Sequence, residues 1–169
     1  MNAVLTAWNG AGSQEALDAV LACCGARRWA EAMTALRPMG SVFELSAAAD
    51  RIWSTMAEAD WMEAFACHPR IGERRAAHAS QKSTAWSRQE QSSAGKAEER
   101  VLAELAAGNA LYEQRFGFTY IVCATGKSAE EMLAILNRRL ANTREAELRE
   151  AAEQQRQITQ IRLGKWLVE

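Results

Sequence analysis

The sequence predicts an all-α protein, a single domain of seven or eight helices spanning residues 1–169. Three observations carry that prediction. Alanine, leucine, glutamate and arginine, all strong helix formers, dominate the chain. Only two prolines interrupt it, Pro38 and Pro69. No segment alternates apolar and polar residues over strand length, whereas Ser-x-x-Glu pairs recur just ahead of helical patterns.

The elements follow in order. Ser13 opens "SQEALDAVLACC", and Gly25 closes it. "ARRWAEAMTALR" comes next and ends before Pro38. Ser41 with Glu44 has the capping-box pattern and starts a helix through Trp53 to Met56. Asp60 with Glu63 repeats the pattern ahead of "WMEAFAC". Residues 69–83 read as a polar loop, with room for a helical turn in "ERRAAHAS". Ser87 with Glu90 opens a helix to Ala107, with Gly108 as its stop. The turn "NALYEQRF" leads into "FTYIVCA", residues 118–124, a short apolar run between Gly117 and Gly126 that suits a buried extended segment. Ser128 with Glu131 starts "AEEMLAILNRRL", and Thr143 caps a last helix reaching Leu163.

Composition narrows the function classes. The length suits one domain, and 49% apolar residues suffice for a core. A net charge of −1 gives no attraction to nucleic acid or to an anionic membrane. Arginines in the middle and near the end interleave with glutamates, which predicts a solvated helix face. Cys23, Cys24, Cys67 and Cys123 form no C-x-x-C pair, so buried, reduced thiols are expected rather than a disulfide framework or a zinc ribbon. No apolar run approaches the ~20 residues of a membrane span. The opening "MNAVLTAWNG" lacks a signal-peptide pattern, and the closing "WLVE" is no peroxisomal address, so a cytoplasmic protein is expected. The six tryptophans fall at helical positions and read as core. His78 has no metal-ligand spacing to His68, and "CATGK" lacks a phosphate-loop pattern, so neither metal nor cofactor is expected.

One stretch stands out, "FACHPRIGE" at 65–73. A residue before proline is pushed out of the α region, so His68 should end its helix extended. Pro69 has a fixed φ, and the helix C-terminus favours an imidazolium. The imidazole is then held in one direction, as an acid or base requires. The plainer reading is a histidine that caps the last carbonyls of its helix. In "SRQEQ", Ser87, Glu90 and Gln91 read either as a capping box or as a ligand-binding helix start. In the last helix Leu148, Ala151, Ala152, Gln155 and Ile158 form one stripe, and Arg162 continues it. Its guanidinium either snorkels to solvent or turns inward to a planar or anionic ligand.

Together "AFACHPRIGE", "WSRQEQS", "FGFTYIVCATGKS", "RRLANTREAELREAAEQQRQITQIRL" and "WAEAMTALRPMGS" resemble the 2-oxo-4-hydroxy-4-carboxy-5-ureidoimidazoline (OHCU) decarboxylases. The likeness spans nearly the whole chain. It implies a helical, cofactor-free carboxy-lyase, the last enzyme from urate to (S)-allantoin. By motif match it implies His68 as catalytic acid/base and Glu90 beside it. It places Pro69, Ser87, Gln91, Tyr120, Ile121, Val122, Cys123, Ala124 and Arg162 around a small-molecule substrate. A homodimer is compatible with it. The competing class is a non-catalytic helical interaction module, in which His68 is only a cap. Hydrolysis of the preceding metabolite is disfavoured, because no metal site or activated nucleophile is visible.

Overall fold

A computed structural model describes residues 1–71, 81–90 and 99–169. The described residues form nine helices and no strand: α1 (Ala3–Gly10), α2 (Ser13–Leu21), α3 (Arg27–Ala35), α4 (Val42–Ser54), α5 (Glu58–Ala66), α6 (Gln81–Glu90), α7 (Glu99–Phe116), α8 (Ala129–Arg139) and α9 (Arg144–Trp166). The all-α prediction holds. Two compact units divide the chain, Met1–Ala64 with Arg156–Glu169, and Phe65–Gln155.

The first unit is held by side chains that satisfy helix ends. Asn2 starts α1 by accepting from the Leu5 N–H, and its amide donates to the Leu167 carbonyl at 2.9 Å. Trp8 donates to the Ala16 carbonyl and meets Trp166 edge-on, with ring centroids 5.9 Å apart. The Arg37 guanidinium lies over Trp8 and donates to the Trp8 and Ala11 carbonyls at the end of α1. Trp29 is fully buried and donates to the Ala49 carbonyl of α4. The last turns of α9 are fastened to α4 by Gln160, which donates to Ser46 O and Asp50 Oδ1, and by the Arg156–Asp50 pair. Asp60 does not cap α5 as expected. It sits in the first turn and accepts from the Ala57 N–H and from Arg28, which is the reach-back half of a capping box.

In the second unit α7 and α8 pack closely. Gly108, expected as a stop, lies buried inside α7. A Cβ there would stand 2.5 Å from Leu136 Cδ2 of α8, so the glycine serves close helix approach. The actual stop is Gly117 at φ 82°, whose N–H bonds the Glu113 carbonyl in a left-handed cap. Ser87 is likewise not a helix start, because α6 begins six residues earlier at Gln81. Ser128 and Glu131 form the expected capping box of α8, and the Thr143 hydroxyl accepts from the Ala146 N–H at the start of α9.

The expectation of a solvated charged face fails at its centre. Arg139 and Glu147 are both completely buried. Interleaved charges look alike in sequence whether they face water or each other. Cys23, Cys24 and Cys123 are buried, and Cys67 is half-buried.

Candidate active site

His68 lies two residues past the end of α5, its N–H bonded to the Phe65 carbonyl at 3.1 Å. The turn is fixed by the buried Pro69 that follows. The half-buried ring meets α9, with Nε2 2.6 Å from Oε1 of Gln155. Gln155 is itself fully buried. Arg70 secures the other side of the turn through a two-pronged pair with Glu113 of α7, at 2.5 and 2.8 Å. Beside that pair is a cavity of about 420 Å³ lined by Arg70, Ile71 and a face of α7 that includes Leu102, Ala106 and Asn109. Among the described residues, none of the sequence-predicted site residues lines it.

Residues 120–124 belong to no helix and form an entirely buried segment. Its backbone is pinned at several points. Arg139 Nη1 donates to the Ile121 carbonyl at 2.7 Å, and Lys127 Nζ donates to the Cys123 carbonyl at 2.7 Å. The Cys123 N–H donates to Gln154 Oε1 at 2.8 Å, and the Tyr120 hydroxyl donates to the Met132 carbonyl at 3.0 Å. Gln154 and Gln155 are neighbours on α9, so one helical turn holds both the His68 ring and this segment.

Behind the segment lies a buried polar cluster that the sequence reading missed. Glu147 accepts from Arg139 Nε at 2.7 Å, from the Tyr112 hydroxyl, and from Asn142 Nδ2 at 3.0 Å. The Arg139 guanidinium also lies over the Tyr120 ring, 4.9 Å from its centroid. Burial, the largest influence, would lower the Arg139 pKa, but the Glu147 hydrogen bond together with the electrostatic pull of Tyr112, Glu147 and Tyr120 outweighs it and holds the guanidinium charged. Burial pushes both Tyr112 and Tyr120 well above the ordinary phenol range, with the Arg139 charge pulling partly back. The only sequence signal for this cluster was a charged residue falling where a helix meets an apolar segment.

The other predicted residues are placed as follows. Ser87 is buried in α6 and Glu90, half-buried, ends that helix, so their backbone lies inside α6 rather than at an anion-binding start. Gln91 lies outside the described residues, as does His78. Arg162 belongs to the first unit and is only 2% exposed, which rules out snorkelling. Among the described residues no three His, Cys, Asp or Glu side chains converge as metal ligands.

The family model "OHCU decarboxylase" matches residues 9–164, nearly the whole chain. The chain belongs to the OHCU decarboxylase family. Among its relatives is the 2-oxo-4-hydroxy-4-carboxy-5-ureidoimidazoline decarboxylase of Amia calva, 33% identical over 135 residues, covering 75% of this chain and 73% of that one. The uric acid degradation bifunctional protein TTL of Arabidopsis thaliana is 36% identical over 144 residues, covering 85% of this chain. The match spans only 44% of that bifunctional protein. The crystal structure of OHCU decarboxylase in the presence of (S)-allantoin superposes with a TM-score of 0.76 at 34% identity, covering 88% of this chain and 96% of the other. The (S)-allantoin synthase crystal structure shares the fold, with a TM-score of 0.71 at 18% identity.

Proposed function

We propose that this chain decarboxylates 2-oxo-4-hydroxy-4-carboxy-5-ureidoimidazoline to (S)-allantoin, the closing step of urate degradation, without a cofactor. Family membership supports the reaction. The geometric observation that carries the roles is the His68 ring, held in one direction by Pro69 behind it and Gln155 across from it.

The substrate contains its own electron sink. When the bond to the carboxylate breaks, its electron pair flows into the adjacent ring C=N, and CO2 leaves. The resulting enol must then be protonated on one face. A single fixed acid, His68, gives one enantiomer because it reaches the carbon from one side only. We assign Glu90 to orient His68 or to hold the substrate hydroxyl. Pro69, Ser87 and Gln91 line the pocket in this reading. The backbone of Tyr120, Ile121, Val122, Cys123 and Ala124 and the Arg162 guanidinium take the urea and ring carbonyl groups. A planar fork suits such paired acceptors better than an ammonium. The same reading treats residues 1–169 as one catalytic domain and places the protein in the cytoplasm. No described helix is long and apolar enough to cross a membrane.

The test follows freshly prepared substrate by circular dichroism. The protein should accelerate its loss and yield dextrorotatory product in enantiomeric excess. Decay at the spontaneous rate, or racemic product, would overturn the reading.

A further inference from the structure

Gln155 has no place in the substrate-contacting set, yet it is the one fully buried amide facing the His68 ring among the described contacts. The geometry points to Gln155 as the residue that positions His68 and fixes which of its nitrogens moves the proton, an inference that rests on the acid/base role proposed above. The atom opposite Nε2 is Oε1, a carbonyl oxygen, which can only accept. The proton shared across 2.6 Å is therefore carried by Nε2. In the neutral ring the lone pair is then on Nδ1.

The proton that His68 exchanges with the substrate accordingly travels through Nδ1. As imidazolium, His68 gives its Nδ1 proton to the enol carbon, while the enol hydroxyl becomes the carbonyl by passing its own proton to the ring nitrogen that took up the electron pair. The ring that remains is neutral, protonated at Nε2 alone and still bonded to Gln155. Throughout, the Nε2–H···Oε1 bond stays in place and stops the ring from turning about its Cβ–Cγ bond. Two features make Gln155 a rigid anchor. It is fully buried, so water does not compete for Oε1. It also stands on a 23-residue helix, one position from Gln154, which grips the Cys123 N–H. An amide suits the task because it accepts without bringing a charge of its own to the ring.

The chain has only two histidines, so ring-15N histidine spectra are simple to assign with His68→Asn as reference. In the wild-type protein the neutral His68 ring should show protonated Nε2 and unprotonated Nδ1, with the Nε2 proton protected from exchange. Gln155→Met fills the same space without an acceptor. It should lower kcat by about 10–100-fold, the range for a misdirected catalytic group, with KM within about threefold. It should also lose the exchange protection. Gln155→Glu, which keeps an acceptor oxygen, should retain the Nε2–H form. A wild-type ring protonated at Nδ1 would overturn the inference. So would an unchanged kcat in Gln155→Met, or a loss confined to KM, which would place Gln155 on the substrate. Should Gln155→Met fail to fold, the wild-type spectrum decides alone. That spectrum needs no turnover, so a failure of the decarboxylase reading registers separately in the activity assay.

Discussion

Arg139 and Glu147 form an ion pair from which both side chains exclude water completely, and the same guanidinium carries the Ile121 carbonyl. Removing one partner of such a pair leaves the other charge stranded. Arg139→Met should therefore cost about 3–5 kcal/mol of unfolding free energy. The double variant Arg139→Met with Glu147→Leu should recover most of that loss, because no charge is left buried alone. It should still turn over poorly, since Ile121 has lost its tether. Denaturant unfolding and kcat/KM of the three proteins check this; a single-variant cost under about 1 kcal/mol would mark the pair as solvated.

The chain's two tyrosines both lie in that cluster, and burial raises both phenols. A group raised in the folded state stabilises fully below its unfolded value, about 10 for tyrosine, and its contribution fades as pH climbs beyond it. Tyrosinate absorbance should thus be absent just above pH ~10 and should appear only as helical dichroism is lost. A titration near 10 with the fold intact would contradict the buried placement.

Gly108→Ala sets two effects against each other. Helix propensity favours alanine by about 1 kcal/mol. The added methyl meets Leu136, itself fully buried, which must shift in a filled core at about 1–3 kcal/mol. The packing term should win, giving a lower thermal midpoint. A higher midpoint would show that Leu136 has room to move.

His68→Asn should reduce turnover by about 10²–10⁴-fold and leave the unfolding midpoint nearly unchanged, since the ring is half-buried and outside the helix. Turnover near the wild-type value would remove His68 from the chemistry.

Arg162→Lys keeps the charge and loses the fork. The kcat/KM should drop by roughly 1–3 kcal/mol in transition-state terms, with a smaller change in unfolding free energy. Unchanged kinetics would take Arg162 out of the site.

Local chemistry made much of this legible. The caps at Ser41, Ser128 and Thr143 announced α4, α8 and α9, because an orphan N–H needs an oxygen within three residues. Pro69 likewise announced the turn at His68. What escaped was set by contacts distant in sequence. Gly108 reads as a stop, yet its reason is Leu136, 28 positions on. Ser87 and Glu90 have capping-box spacing, but α6 was already under way at Gln81. α1 was overlooked because it is short, although Asn2 ahead of Ala-Val-Leu was its visible cap. Arg139 and Glu147 pass for surface charges until the segment they support is in place. Gln155 carried the same mark as Arg162, a polar residue on an apolar stripe, and only Arg162 was singled out.

The neighbouring grips of Gln154 and Gln155 bear on how this helix can diverge. Substitutions at the two positions act separately, one on the Cys123 backbone and the other on the His68 ring. A change of length does not. One residue inserted or deleted between Arg144 and Gln154 turns everything beyond it by about 100° and releases both grips at once. Side chains along α9 can therefore change one at a time, each forfeiting only its own contact, while its residue count up to Gln155 stays frozen, and length variation is expected to collect in its loops.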